Sequence, residues 1–223
     1  MSRTDFEDNR LSFATGWLGY GSWAAPYWFV GMEPGEDDDE ANFAIWSEAD
    51  RPQLLDITAH LPGQVGDWFS PDSRIQSTWA KLIWTLLSYK GLEATAEATR
   101  GYQQNHLGRS KGETALLELS PFSARSSTVK APRTIARENR INTIRQQLAA
   151  KKPDFVVFYS VSPEYKLAWE EIAGSELPEG QPVLLESTAC VRTYHPNYKW
   201  DKAYWVDIGR RLREARESYL GSP

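Results

Sequence analysis

The sequence predicts an α/β fold, a three-layer sandwich in which a four-stranded, mostly parallel sheet lies between helices. Three observations carry that expectation. Short runs that are apolar on both faces alternate with stretches of helical period, as in strands buried under helices on either side. The runs are closed by Gly, Pro or Ser, residues that stop a strand in a defined turn. The chain has 223 residues, 41% of them hydrophobic, with no repeat or low-complexity linker. That suffices for one substantial core, so a single domain over residues 1–223 is expected.

Each element follows from its local pattern. Residues 1–26 are rich in Trp, Tyr and Gly without clear period and read as an irregular arm over the domain. Tyr27-Trp28-Phe29-Val30-Gly31 is the first strand. Residues 36–73, acidic and then Pro- and Gly-punctuated, read as a long ordered loop with room for one short helix. Ile75, Trp79, Leu82, Ile83 and Leu86 form one helical face over 75–88. Residues 115–119 are the second strand, closed by Ser120-Pro121-Phe122. A helix over 134–150 turns Ile135, Ile141, Ile144 and Leu148 inward. Residues 154–159 are a third strand, 164–173 a helix ended by Gly174, and 183–185 with 190–194 a fourth strand region. A last helix covers 202–219.

Composition narrows the function classes. The lone Cys190 excludes an internal disulfide, a thiolate zinc site and a four-cysteine iron–sulfur cluster. His60, His106 and His195 lack metal-ligand spacing, so no metal site is expected from them. No apolar run approaches the length of a membrane span, and the polar start is no signal peptide, so a cytoplasmic protein without a membrane partner is expected. The pattern does not specify an oligomeric state. The net charge of −5 is unevenly spread. Glu36-Asp37-Asp38-Asp39-Glu40 is wholly acidic, whereas Arg125, Lys130, Arg133, Arg137, Arg140, Arg145, Lys151 and Lys152 face only Glu138. The basic stretch is a candidate phosphate contact.

Two segments carry candidate chemistry. Gly31-Met32-Glu33-Pro34-Gly35 follows the first strand and presents one carboxylate from a stiff turn, since proline restricts φ and glycine permits close approach. Arg192-Thr193-Tyr194-His195-Pro196-Asn197 is likewise an apolar stretch stopped by proline. In parallel sheets ligands bind at the carboxyl ends of strands. That rule places Glu33, the Ser120-Pro121-Phe122 turn, Ser160 to Ser162 and His195 on one rim.

On these residues the chain resembles the uracil-DNA glycosylase superfamily. Gly31-Met32-Glu33-Pro34-Gly35 is similar to its first motif, closest to the single-strand-selective and mismatch-specific branches ending in Pro-Gly, and His195-Pro196-Asn197 to its second. The resemblance implies Glu33 and His195 as catalytic residues, the first positioning water and stabilising a cationic sugar, the second donating to the departing base. It implies a DNA partner carrying an extruded or single-stranded damaged base, and no metal or organic cofactor. It also implies a base pocket from Gly31, Met32, Pro34, Gly35, Glu118, Ser120 and Asn197, with Phe43, Trp46 or Phe122 stacking on the base. Asn197 to Trp200 would form a duplex-wedging loop, and Arg125, Lys130, Arg133 and Lys199 would contact phosphates. Three departures stand out. Glu33 replaces Asn or Asp, Gly35 replaces a tyrosine that blocks 5-methyl bases, and Glu118 is the nearest match to a base-reading Asn. An ionised Glu118 only accepts, and so favours an amino-bearing edge over a uracil carbonyl. The acidic run beside the motif keeps two alternatives open: a non-catalytic glycosylase-fold module binding nucleic acid or protein, and a hydrolase of free nucleosides or nucleotides.

Overall fold

The computed structural model describes residues 3–32, 39–60, 68–122, 134–199 and 201–221. Among them the chain forms α1 (Arg3–Gly16), β1 (Gly19–Gly21), β2 (Tyr27–Gly31), α2 (Asp39–Glu48), β3 (Leu54–Leu55), α3 (Ile57–His60), α4 (Ser77–Tyr89), α5 (Ala96–Asn105), β4 (Thr114–Glu118), α6 (Arg137–Lys151), β5 (Phe155–Tyr159), α7 (Pro163–Ala173), β6 (Val183–Leu185), β7 (Thr188–Thr193) and α8 (Lys202–Leu220). The strands make one mixed sheet in the order β3-β1-β4-β2-β5-β7-β6.

Among the described residues the sheet has seven strands rather than the four expected. Its centre, β4-β2-β5-β7, is parallel throughout. Short edge strands complete it. β1 runs antiparallel to β4, β3 pairs with β1, and β6 folds back on β7 through the Glu186-Ser187 turn. The expected single fourth strand region is therefore an antiparallel pair. The expected irregular arm contains α1 and β1, and the expected long loop holds α2, β3 and α3.

Strand side chains alternate between two cores because successive residues point to opposite faces. Phe29, Leu116, Phe155, Val157 and Val191 pack under α4 and α8. Trp28, Val30, Ala115, Leu117, Val156 and Phe158 pack under α6 and α7. A third cluster joins α1 and α2 through Phe6, Phe13, Trp17, Phe43, Trp46 and Phe122.

The α4–α8 crossing rests on Gly209. A Cβ there would stand 2.1 Å from the Thr85 carbonyl oxygen and 2.8 Å from Ser88 Cβ. Thr85 and Ser88 also donate across the crossing to the carbonyls of Trp205 and Val206, at 3.1 and 2.7 Å. Gly209→Ala must force the helices apart, because the obstacle is backbone rather than a side chain that can swing away. A loss of about 2–3 kcal/mol is expected in urea unfolding.

Candidate functional site at the carboxyl edge of the sheet

The four parallel strands end level with one another. Gly31 pairs with Glu118, Val30 with Phe158, and Tyr159 with Thr193, so Glu118, Gly31, Tyr159 and Thr193 form one row across the rim. Alternation points all four toward the α4–α8 layer, since Leu116, Phe29, Val157 and Val191, two residues earlier in each strand, lie in that core. Pairing continues beyond the strands: the Leu119 and Ser120 amides donate to the carbonyls of Gly31 and Met32 at 2.9 and 2.8 Å.

Gly31 is required here by a neighbour. A Cβ on it would stand 2.0 Å from Tyr159 Oη and 2.3 Å from Cζ. The Tyr159 ring occupies that space, donates to Glu118 Oε1 at 3.4 Å, and meets the His195 ring edge-on at 5.6 Å. Tyr159 thus links Glu118 to His195 across Gly31. No sequence motif marks Tyr159; its one signal is a polar-tipped aromatic ending an apolar strand at the rim.

Glu118 is 8% exposed, and its carbonyl accepts from the fully buried Arg140 through Nε at 3.2 Å and Nη2 at 2.5 Å. Arg140 Nη1 donates to the carbonyls of Ala14, at 2.9 Å, and Trp17. Burial pushes the Arg140 pKa down to about 9, against the opposing charge of Glu118. Arg140 therefore ties α1, α6 and the end of β4 together and is turned away from any phosphate. Arg137 pairs with Glu164, Arg145 with Glu171 and Lys152 with Glu186. α6 runs back from the rim toward the start of β5, so Lys151 and Lys152 stand at the opposite edge of the sheet. The basic stretch does not track the rim as a unit. Arg125, Lys130 and Arg133 lie outside the described residues.

His195 sits two residues past the end of β7 in a tight turn over Pro196. The Tyr198 amide donates to the His195 carbonyl at 2.9 Å and the Asn197 amide to His195 Nδ1 at 3.1 Å. Only an unprotonated Nδ1 accepts, so neutral His195 carries its proton on Nε2. Burial lowers the His195 pKa, and the Lys81 charge adds to it, to about 4. At neutral pH the ring is an uncharged N–H donor. The Asn197 side chain accepts from Thr78 Oγ1 of α4 at 3.0 Å, which pins the turn to that helix. Tyr198, 78% exposed, stands at the tip of the turn. Lys199 lies over the Tyr194 and Tyr204 rings.

The remaining candidates separate. Met32 is half-buried at the rim. Ser120 is buried and its hydroxyl is engaged with the Phe122 backbone, closing the turn. Phe43, Trp46 and Phe122 are fully buried among Phe6 and Phe13, so they are core residues with no face presented for stacking. Apolar burial of three large rings outweighs exposing them. Glu33, Pro34 and Gly35 lie outside the described residues. Among those described, no three His, Cys, Asp or Glu side chains are grouped to hold a metal, and no helix is long and apolar enough to cross a membrane. A groove of about 710 Å³ at the opposite edge, beside Tyr102, His106 and Glu113, contains none of these residues.

The His195 shift predicts an acid-sensitive window. The imidazole is kept neutral in the fold, so the unfolded chain binds the proton first as pH falls below 6.5. Stability should decline until the folded group titrates near 4, by up to about 3 kcal/mol in total. Asp56 and Asp207 act lower. Burial pushes Asp56 up, but hydrogen bonds from Thr58 and Ser110 outweigh it, while Arg210 and Arg211 hold Asp207 down. Their contributions fade only as pH falls through and below 3.8. Urea unfolding at pH 6.5 and 4 should show a steeper loss for the parent protein than for His195→Gln.

No protein-family model matches the chain, and no curated protein matches it.

Proposed function

We propose that the protein is a glycosidase acting on a nucleobase, in the manner of a DNA-base glycosylase. One observation carries the reading. The level ends of four parallel strands bring Glu118 and Tyr159 beside a neutral, Nε2-protonated His195, and the strand under them runs directly into Gly31-Met32-Glu33-Pro34-Gly35. Breaking a C–N glycosidic bond leaves positive charge on the sugar and negative charge on the base. The Glu33 carboxylate would stabilise the first and orient the water that adds to the sugar carbon, taking its proton. Neutral His195 would donate to the second; one such donor is worth ~3 kcal/mol in the transition state.

Glu118 sets the substrate preference in this reading. A carboxylate with the Tyr159 hydroxyl on one oxygen accepts an N–H, so the base is one that presents an amino group or ring N–H to the β4 end rather than a bare carbonyl. Tyr198, exposed at the tip of the His195 turn, would wedge against an extruded nucleotide in this reading.

The acidic run supports a second reading, a non-catalytic binding module. Asp39 and Glu40 open α2, and five consecutive acids beside the motif disfavour a phosphate backbone at low salt. A screen separates the readings. Purified protein is incubated with single- and double-stranded oligonucleotides carrying uracil, hypoxanthine, xanthine, mismatched thymine or an amino-bearing cytosine derivative, and with free nucleosides. Abasic sites in any oligonucleotide support the glycosylase. Cleavage confined to nucleosides points to a nucleoside hydrolase. Binding without cleavage points to the module.

A further inference from the structure

Lys81 belongs to this site although no motif marks it. It lies on α4 and is only 3% exposed. Lysine is almost never fully buried without a specific reason, because its ammonium loses hydration there. Its place on the helix is informative. Thr78, one turn earlier, donates to Asn197, and the Asn197 amide donates to His195 Nδ1. Residues three apart share a helix face, so Lys81 stands on the face of α4 that the His195 turn packs against.

We infer that Lys81 is a positioning residue which acts through His195, its ammonium holding the imidazole as a neutral Nε2–H donor. The Asn197 amide selects the tautomer; Lys81 guards against the second proton. Two donors, the Asn197 N–H and a cation, then face His195 from the Nδ1 side and from α4. A proton added at Nδ1 would break the first contact and oppose the second.

Among the described residues, the other charged and titratable groups around His195 do not supply this effect. Tyr159, from β5, meets the ring edge-on and gives its hydroxyl to Glu118. Tyr198, on the same turn, is exposed. Lys199 lies over Tyr194 and Tyr204. Asp201 caps α8 through the Ala203 amide, and Lys202 lies over Trp84. Glu118, reached through Tyr159, acts in the opposite sense and favours protonation. Burial depresses the Lys81 pKa too, from the ordinary 10.5. The inference requires it to remain charged across the working pH range.

The inference rests on His195 being the donor of the site, not on which bond is cleaved, and its test reads protonation rather than catalysis. Imidazole resonances are followed by two-dimensional NMR from pH 8 to 3.5 in the parent, Lys81→Met and Lys81→Arg proteins, with His195→Gln to assign the signal among the three histidines. In the parent the His195 midpoint should fall near 4, with the Nε2-protonated tautomer above it. Lys81→Met should raise the midpoint by about one pH unit or more, the scale of a like charge within about 6 Å. Lys81→Arg should keep it low. A purely structural lysine would lower thermal stability without moving the midpoint. An unmoved midpoint in Lys81→Met overturns the inference. So does a parent midpoint at or above 6.5, which needs no variant to fold. Absence of base excision in the screen would leave this titration unaffected, so the two readings fail separately.

Discussion

Arg140→Met should cost about 3–5 kcal/mol of folding stability, the largest single loss expected in the described part of the chain. The guanidinium is fully buried and donates to three backbone carbonyls, those of Glu118, Ala14 and Trp17. Methionine fills similar volume but leaves these acceptors without their donor in a dry interior. Each orphaned carbonyl carries a desolvation penalty of about 1–3 kcal/mol, partly relieved by relaxation. Arg140→Lys should recover only part, since one ammonium cannot reproduce the planar fork that spans β4 and the end of α1. Urea unfolding followed by tryptophan fluorescence measures both. A loss below about 1 kcal/mol for Arg140→Met would show that the fork is replaced by water. The variant should also loosen the site, because the tethered carbonyl belongs to Glu118.

The second large effect concerns catalysis. His195→Ala and Glu33→Gln should each lower the single-turnover rate of base excision by at least ~100-fold. Alanine removes the donor to the departing base, and glutamine keeps the size of Glu33 while removing the charge that stabilises the sugar cation. Both interactions matter mainly in the transition state, so affinity for an uncleavable substrate analogue should weaken far less than the rate. Rate and affinity falling together would mean that these residues bind ligand without catalysing its cleavage. The measurement uses whichever substrate the screen identifies, under single-turnover conditions, with analogue binding followed by anisotropy.

Much of this architecture is legible in the sequence. The four central strands and the helices at 77–89, 137–151, 163–173 and 202–220 announce themselves because apolar runs and 3.6-residue faces are local properties. His195-Pro196-Asn197 is legible for the same reason: proline and a short polar side chain define their turn without help from elsewhere. α1 is not, because its apolar residues are few and scattered and its aromatic side chains pack against α2 rather than along one stripe. β1 and β3, three and two residues long, exist only as pairings with distant partners.

The sequence by itself determined which residues form the four central strands, where those strands stop, and that a histidine follows one of them. Only the tertiary structure decided which side chains meet. It buried Phe43, Trp46 and Phe122 together, turned Arg140 inward while its neighbours took surface partners, and set Tyr159 into the space left by Gly31. It also laid Lys81 on the helix face against the His195 turn. These outcomes depend on residues far apart in the chain. Local period encodes the face a residue occupies, whereas the cost of burying a charge or a ring is settled by whatever other elements bring to that face.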